Sequence, residues 1–189
     1  MEQQDDGWTR WDPAAAKSPN WTLPHAVRDF VPLDNEDGEE CARWLKEQSL
    51  VDYPLTVTWV LCNAGVVEGF FAICSGVMEL ELPHSKPSDQ VRSVKWPCSV
   101  VKWMCRRGGE RPGGGEYEGG PIINHAIYRA QEVTSLQGNV ALIIEPSNEV
   151  IAGKLLKQHT FLRQVKQGQL GQLWVPVFEK DTFLHPDEN

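Results

Sequence analysis

No stretch of the sequence approaches the ~18 consecutive apolar residues that a membrane-spanning helix requires. The N-terminal sequence MEQQDDGWTRWDP is acidic and polar, unlike a secretory signal peptide. The five cysteines (41, 62, 74, 98 and 105) are odd in number and have no CxxC spacing. These absences predict a soluble, cytoplasmic protein with reduced thiols, without disulfides and without a bound metal.

Positive residues are also fewer than negative ones: 18 Lys and Arg stand against 26 Asp and Glu, which gives a formal net charge of −8. A global attraction to nucleic acid or to an anionic membrane is therefore excluded. The exception is the stretch 86–111, which holds seven basic and two acidic residues. Nucleic acid could be contacted only through this stretch, and a solvated surface of uneven charge is the alternative.

What the sequence does contain is enough apolar material for one core: 41% hydrophobic residues and eight tryptophans. Residues 1–34 are rich in proline and tryptophan and predict an N-terminal arm without long helices or central strands. A single domain is expected over 35–180, followed by a tail over 181–189. Whether the arm packs on its own chain or on a partner stays open.

The domain begins with a helix over 34–50 and continues with strand-like runs, which predict an antiparallel meander. These runs are PLTVTWVLC, VVEGFFAICSG, VMELELP and WPCSVVKWMC. An amphipathic helix (121–133), a buried strand (139–145) and a second helix (148–158) come next. A hairpin formed by 161–165 and 173–178 ends the domain. This order predicts an α/β (α+β) fold, in which a βαβ crossover follows the meander.

A loop with seven glycines in fifteen residues, 106–120, lies between the meander and the first of these helices. A glycine-rich loop that leads into a helix N-terminus can bind an anion, because exposed N–H groups and the helix dipole both favour negative charge. Pro121 suits the first helical turn. The loop matches neither GxxxxGK[ST] nor GxGxxG. A surface loop with many glycines is the alternative.

These motifs, in this order, resemble the GCN5-related N-acetyltransferase (GNAT) family. In that family a loop of the form Q/R-x-x-G-x-G/A holds pyrophosphate and leads into a helix. Gly119 matches the final glycine, while Tyr117 stands at the middle glycine and Gly114 at the Gln/Arg position. Ile122, Ile123 and Ala126 match the helix that follows.

The stretch 148–161 is similar to the closing motif of the same family. The matches are Asn148, Ala152, Leu155 and Phe161. Leu156 replaces the family tyrosine and Thr160 replaces a glycine. The run LTVTWVLCNAGVVEGFFAICSGVMELE resembles the subgroup of toxin-type acetyltransferases. The resemblance covers residues 30–178.

The resemblance implies a mixed sheet in which two parallel strands, 98–105 and 139–145, splay apart around acetyl-CoA. It places the pantetheine arm on the backbone of Met104, Cys105 and Arg106. It places the pyrophosphate on loop 113–120. The residues of this loop that are expected to bind the cofactor are Gly114, Gly115, Tyr117, Gly119 and Gly120. Asn148, outside the loop, is also expected to bind it. Arg106, Arg107 or Arg111 could reach the 3′-phosphate, and ordinary surface charge is the alternative.

The implied reaction is acetyl transfer from acetyl-CoA to an amine. The acceptor is left open: it is an amine-bearing small molecule, a protein or aminoacyl-tRNA. Whether the protein forms a homodimer is also left open. The family tyrosine that protonates the thiolate is Leu156 here, so no catalytic residue is assigned. Glu79 and Glu81 are candidate bases, with a solvated strand face as the alternative. The competing hypothesis is a catalytically weak GNAT-like scaffold that binds CoA or a protein.

Overall fold

The computed structural model describes residues 7–17, 23–81, 93–111, 113–164 and 173–177. Within these residues the structure has seven strands: β1 (Gly7–Trp11), β2 (Val57–Asn63), β3 (Val66–Glu81), β4 (Ser93–Arg106), β5 (Ala141–Ile144), β6 (Arg163–Gln164) and β7 (Leu173–Pro176). The helices are α1 (Pro13–Lys17), α2 (Leu23–Arg28), α3 (Glu36–Arg43), α4 (Gly120–Gln137) and α5 (Glu149–Gln158). A π-helical turn, Trp44–Gln48, extends α3.

The strands form one mixed sheet in the order β1–β2–β3–β4–β5–β7–β6. The pairs β1–β2, β2–β3, β5–β7 and β6–β7 are antiparallel. All four residues of β5 are buried, as expected for a strand covered on both faces. The predicted α+β fold, with a meander before the crossover helix and a closing hairpin, is confirmed.

Local sequence accounts for the element boundaries. Ala64 and Gly65 both have positive φ, +49° and +74°, and form the tight turn between β2 and β3. Asn35 caps α3, since its Oδ1 accepts a hydrogen bond from the Gly38 N–H at 2.7 Å. Acidic residues fill the first turn of α3, where the helix dipole favours them.

The predicted break between strand segments 66–76 and 77–83 is wrong, because β3 runs without interruption from Val66 to Glu81. Gly76 is the last residue of the first segment. In the structure it is a strand residue at which a Cβ would meet Val100 Cγ2 at 2.5 Å. The absence of a side chain at this glycine leaves room for Val100 of β4, and the strand continues through it without a turn.

Two compact units make up the chain. The first comprises residues 1–74 and 101–126, and the second comprises 75–100 and 127–189. The predicted domain boundaries at residues 35 and 180 stay predictions.

The N-terminal segment contributes directly to the core of the first unit. Trp11 on β1 is buried, and its indole N–H donates to Ser49 Oγ at 2.9 Å. Phe30 meets Phe70 of β3 edge to face, with ring centroids 5.6 Å apart. The short helices and the edge position of β1 agree with the proline-rich composition.

The core of the second unit is smaller and consists of Met78, Cys98, Ala141 and Ile143, with Val100, Val140 and Trp174 packed against it. A buried polar pair lies beside this core, where Asn139 Nδ2 donates to Ser99 Oγ at 3.0 Å. Both side chains satisfy part of their hydrogen-bonding capacity in this way, which burial requires.

Candidate functional site

The glycine loop between β4 and α4 folds into a short hairpin. The Arg111 N–H donates to Gly115 O at 2.8 Å, and the Gly114 N–H donates back to Arg111 O at 2.9 Å. Gly113, Gly114 and Gly115 have φ values of +100°, +95° and +89°, which glycine adopts far more readily than other residues. The Gly114-to-Arg111 hydrogen bond closes the turn of this hairpin, so Gly113 lies within the turn, and Gly114 and Gly115 lead into the second arm.

Tyr117 anchors the end of the hairpin that lies nearer to α4. Its side chain is only 5% exposed. The guanidinium carbons of Arg107 and Arg111 lie 6.0 and 5.6 Å from its ring centroid, within cation–π range. Arg106 Nη1 donates to the Tyr117 carbonyl at 2.8 Å. Tyr117 thus stabilises the loop through its ring and its backbone.

Two of the three arginines in this region form ion pairs within the chain. Arg106 Nη2 lies 3.1 Å from Glu116 Oε2. Arg111 Nη2 lies 2.7 Å from Glu68 Oε2 on β3, and this hydrogen bond raises the pKa of the Arg111 guanidinium. Both guanidinium groups therefore hold the loop in place.

Arg107 bonds to backbone groups. Its N–H donates to Glu68 O at 2.7 Å. Its Nη1 lies 3.4 Å from both Asp29 O and Val67 O. All three arginines proposed for the 3′-phosphate are thus engaged with the protein.

The start of α4 offers N–H groups directly after the loop. Gly119 O accepts hydrogen bonds from the Ile122 and Ile123 N–H groups at 3.1 and 3.3 Å, and Pro121 has no N–H. In the part of the chain that the structure describes, no backbone acceptor is found for the N–H of Gly119 or Gly120. A Cβ on Gly119 would meet nothing within 4 Å. An anion can therefore approach these amides closely.

The side chains around this position supply little net positive charge. Glu110, Glu116 and Glu118 are exposed, and Glu68 is paired with Arg111. These carboxylates offset the three arginines of the loop. Attraction for a phosphate must therefore come mainly from backbone N–H groups and the dipole of α4.

The end of β4 carries Met104 and Cys105 in contact with α3. Cys41 Sγ donates to Met104 O at 3.9 Å, and Cys105 Sγ donates to Arg106 O at 3.2 Å. The neighbouring Cys105 side chain and burial raise the pKa of Cys41, whereas the Cys41 side chain lowers the pKa of Cys105. The backbone expected to hold pantetheine is thus packed against α3.

The remaining candidates belong to the second unit. Asn148 caps α5, and its Oδ1 accepts a hydrogen bond from the Ile151 N–H at 3.0 Å. Glu79 is exposed on β3, and the side chain of Glu81 lies outside the described residues. Leu156 is half-buried on α5. The structure thus brings Arg106, Tyr117 and Gly119 together in the first unit.

Sequence reasoning missed Glu68 and the Cys41–Cys105 pair. Glu68 had a signal, because it is the one charged residue in the apolar run VVEGFFAIC, and a buried carboxylate needs a partner. The cysteine pair had none, since the two residues are separated by 63 others and follow no known spacing.

Within the described ranges, no helix is long and apolar enough to cross a membrane. The same residues contain no group of three or more His, Cys, Asp or Glu side chains that could hold a metal ion.

No protein-family model matches the sequence, and no curated protein does. Solved structures do match. The structure of a mutant KacT has a TM-score of 0.66 at 16% identity, covering 91% of this chain and 96% of that one. A mutant of the AtaT toxin has a TM-score of 0.62 at 17% identity, covering 80% and 82%. AtaTR bound with AcCoA has a TM-score of 0.59 at 17% identity, covering 90% and 94%. The predicted resemblance is confirmed at the level of the fold: the chain has the fold of the toxin-type GNAT acetyltransferases AtaT and KacT.

Proposed function

We propose that the chain is an N-acetyltransferase that transfers an acetyl group from acetyl-CoA to an amine. The observation that carries this proposal is the start of α4, where the N–H groups of Gly119 and Gly120 follow a glycine hairpin directly. The fold supports the same ligand, because AtaTR with this fold has been solved bound with AcCoA.

The pyrophosphate of CoA would be held by the backbone at the start of α4. The open space at Gly119 admits a phosphate oxygen without displacing a side chain. The hairpin beside it is fixed by Tyr117 and by the Arg111–Glu68 ion pair. A preorganised loop of this kind binds with a smaller loss of conformational freedom.

The acetyl thioester would lie along the end of β4. Backbone groups of Met104, Cys105 and Arg106 would pair with the pantetheine arm and donate to the thioester oxygen. Such donors lower the activation barrier because negative charge grows on this oxygen as the amine attacks. Arg106 fixes this backbone through its bonds to Tyr117 O and Glu116.

In the transfer itself, the neutral amine nitrogen bonds to the carbonyl carbon, the carbon–sulfur bond breaks, and CoA leaves as a thiolate. The amine must lose its proton to a base or to water. Leu156 cannot protonate the leaving sulfur. A thiol with a pKa near ~8.5 leaves readily enough that an acid is not indispensable. Positioning of the two reactants then accounts for most of the proposed catalysis.

The proposed acceptor is an amine, which could belong to a small molecule, to a protein or to aminoacyl-tRNA. AtaT has been solved in a complex with acetyl-methionyl-tRNAfMet. In this chain, Lys95 and Lys102 are exposed on β4 and supply positive charge within the basic stretch 86–111. The net charge of −8 limits any nucleic-acid contact to such a local surface.

The alternative function is a scaffold that binds CoA or a protein without efficient transfer. Leu156 favours it, because an aliphatic side chain stands where the family has its acid. The solved relatives also favour a protein partner, since AtaT has been solved bound to the C-terminus of its antitoxin AtaR. A homodimer remains compatible with both functions.

Calorimetric titration with acetyl-CoA and CoA tests the proposal first. We expect binding, and a melting temperature that rises with ligand concentration by mass action. Mass spectrometry of an acceptor panel, which contains polyamines, a peptide library and bulk aminoacyl-tRNA, then tests transfer. Binding with transfer supports the enzyme, and binding without transfer supports the scaffold. No binding at millimolar ligand contradicts both CoA-dependent functions.

A further inference from the structure

Residues 29–33, which lie between α2 and α3, contact the point where the glycine loop leaves β4. The Gly108 N–H donates to Val31 O at 3.0 Å. Pro32 and Arg107 pair as antiparallel backbone neighbours. Arg107 and Gly108 are the first two residues after β4. The beginning of the loop is therefore paired with a segment from much earlier in the chain.

The Arg107 side chain joins the same segment to the sheet. Its Nη1 donates to Asp29 O and to Val67 O on β3, each at 3.4 Å, and its backbone N–H donates to Glu68 O at 2.7 Å. Its guanidinium carbon lies 6.0 Å from the Tyr117 ring centroid. One residue thus links segment 29–33, the sheet and the end of the hairpin that lies nearer to α4.

Gly108 allows the two backbones to approach closely. A Cβ here would overlap Pro32 O and would lie 3.2 Å from Leu33 Cα. These are backbone atoms in a packed region, which cannot move aside as the end of a flexible side chain can. The next residue, Gly109, has a φ of +80° and nothing within 4 Å of its Cβ position. Packing therefore requires a glycine at 108, whereas backbone conformation favours one at 109.

Residues 29–33 are themselves held by the core of the first unit. Phe30 is buried in that core. The helix before the segment, α2, buries Leu23 and Val27, and the helix after it, α3, buries Ala42. A segment held at both ends in this way gives the loop a fixed support. A loop that is already ordered loses less conformational freedom when its ligand binds.

We propose that Arg107 and Gly108 are positioning residues, through which segment 29–33 holds the glycine loop in the conformation that binds the pyrophosphate of acetyl-CoA. They act through the hairpin and the start of α4, and neither contacts the cofactor. This inference rests on the proposed function and adds the N-terminal segment to its binding machinery.

Calorimetric titration of Arg107→Gln with CoA and with 3′-dephospho-CoA tests the side chain. We expect both dissociation constants to rise by the same factor, about three- to tenfold, because a less ordered loop binds the pyrophosphate of either ligand more weakly. A loss of affinity for CoA alone would overturn the proposal, because Arg107 would then bind the 3′-phosphate directly. Arg28→Gln, which removes the same charge from the exposed face of α2, is the control and should bind both ligands as the parent does.

Hydrogen exchange without ligand, followed by NMR, measures the order of the loop itself. In Arg107→Gln and in Gly108→Ala, the Arg111 and Gly114 N–H groups that close the hairpin should exchange faster than in the parent. Gly109→Asn is the matched control, because asparagine tolerates positive φ and has open space there. It should retain the slow exchange and the affinity for CoA.

If Gly108→Ala does not fold, Arg107→Gln decides the test, because its half-buried side chain can be replaced without adding volume to the core. A parent that does not bind CoA contradicts the proposed function and this inference with it. A parent that binds CoA, with Arg107→Gln binding as tightly and protecting its hairpin amides as well, would overturn this inference alone. Weaker binding with unchanged exchange would overturn it too, since the loop would then be ordered without Arg107.

Discussion

Arg111 extends from the glycine hairpin and pairs with Glu68 on β3, with Nη2 and Oε2 2.7 Å apart. The Glu68 side chain is 11% exposed, whereas that of Arg111 is 37% exposed. Asn63 Nδ2 lies 3.4 Å from the other carboxylate oxygen of Glu68. A nearly buried carboxylate on the sheet thus holds a loop that would otherwise lie free at the surface.

The first prediction follows from this asymmetry of burial. Arg111→Met should destabilise the protein by about 1–3 kcal/mol, because it leaves the Glu68 carboxylate buried without its charged partner. Adding Glu68→Gln should recover part of the loss. Urea unfolding of both single variants and the double variant gives the coupling energy, for which we expect about 1 kcal/mol or more. The exposed i,i+3 pair Arg129–Glu132 is the control, and for this pair we expect a coupling energy of about 0.5 kcal/mol or less. Equal coupling energies for the two pairs would show that the burial of Glu68 does not strengthen its ion pair.

The second prediction concerns the start of α4. Gly119→Glu should weaken CoA binding, because a carboxylate would project toward the amides that we assign to pyrophosphate and would repel it at close range. The fold should survive, since nothing lies within 4 Å of a Cβ there. Gly119→Ala is the matched control and should bind CoA nearly as well as the parent. Calorimetry on both variants measures the difference. A glutamate variant that folds and binds as tightly as the alanine variant would place the pyrophosphate elsewhere.

Much of the fold could be predicted from the sequence because its signals are local. The helical spacing of Ile123, Ala126, Ile127 and Ala130 predicts the buried face of α4, and all four are buried. The apolar run 139–145 predicts β5 in the same way. Such periodicity reports which side of an element faces the core.

The candidate site could be predicted only in part. The loop and its glycines are visible in the sequence, but the hairpin depends on Glu68, which lies more than 40 residues away in the chain. The sequence predicts Tyr117 as a cofactor-binding residue, whereas the packing of its ring against the Arg107 and Arg111 guanidinium groups appears only in the structure. Tertiary partners of this kind leave no periodic pattern.

The third prediction compares two glycines. Gly69 on β3 lies where a Cβ would overlap Ile122 Cδ1 of α4 and meet Cys105 O at 3.0 Å. Gly69→Ala should therefore cost about 1–3 kcal/mol through overpacking. Gly153, exposed within α5, has nothing within 4 Å, so Gly153→Ala should stabilise by about 0.5–1 kcal/mol. Thermal or urea unfolding measures both. A neutral Gly69→Ala would contradict the close packing of α4 on β3.

The fourth prediction is a pH dependence. Burial lowers the pKa of His159 below its ordinary 6.5, so the unfolded chain binds this proton more tightly than the folded chain does. Unfolding therefore takes up a proton between the folded pKa and 6.5, and stability falls as the pH drops through this range. His159→Gln should make the stability curve flatter below pH 6.5. Urea unfolding between pH 5 and 7.5 measures it, with His25→Gln on the exposed face of α2 as the comparison. An unchanged slope in His159→Gln would contradict the prediction.

The last prediction concerns the missing tyrosine. Ala152, Leu155, Leu156 and His159 are buried or half-buried, whereas Gly153, Lys154 and Lys157 are exposed, so the first four share one face of α5. In the proposed function Leu156 takes the place of the family tyrosine, so a phenol at this position would protonate the leaving sulfur.

We therefore expect the parent to release CoA slowly in the presence of an acceptor amine and Leu156→Tyr to release it faster. A positioned acid is worth up to about 10²–10⁴-fold, and a newly introduced one should reach only part of this range. Leu155→Tyr, which places the same ring one residue earlier, should give no gain. Thiol release, measured with the same amine panel for all three proteins, decides among the outcomes. Tight CoA binding without release in any of them favours the scaffold. A fast parent that is slowed by the tyrosine shows that position 156 does not face the sulfur, because a ring there would then obstruct the site without serving as its acid.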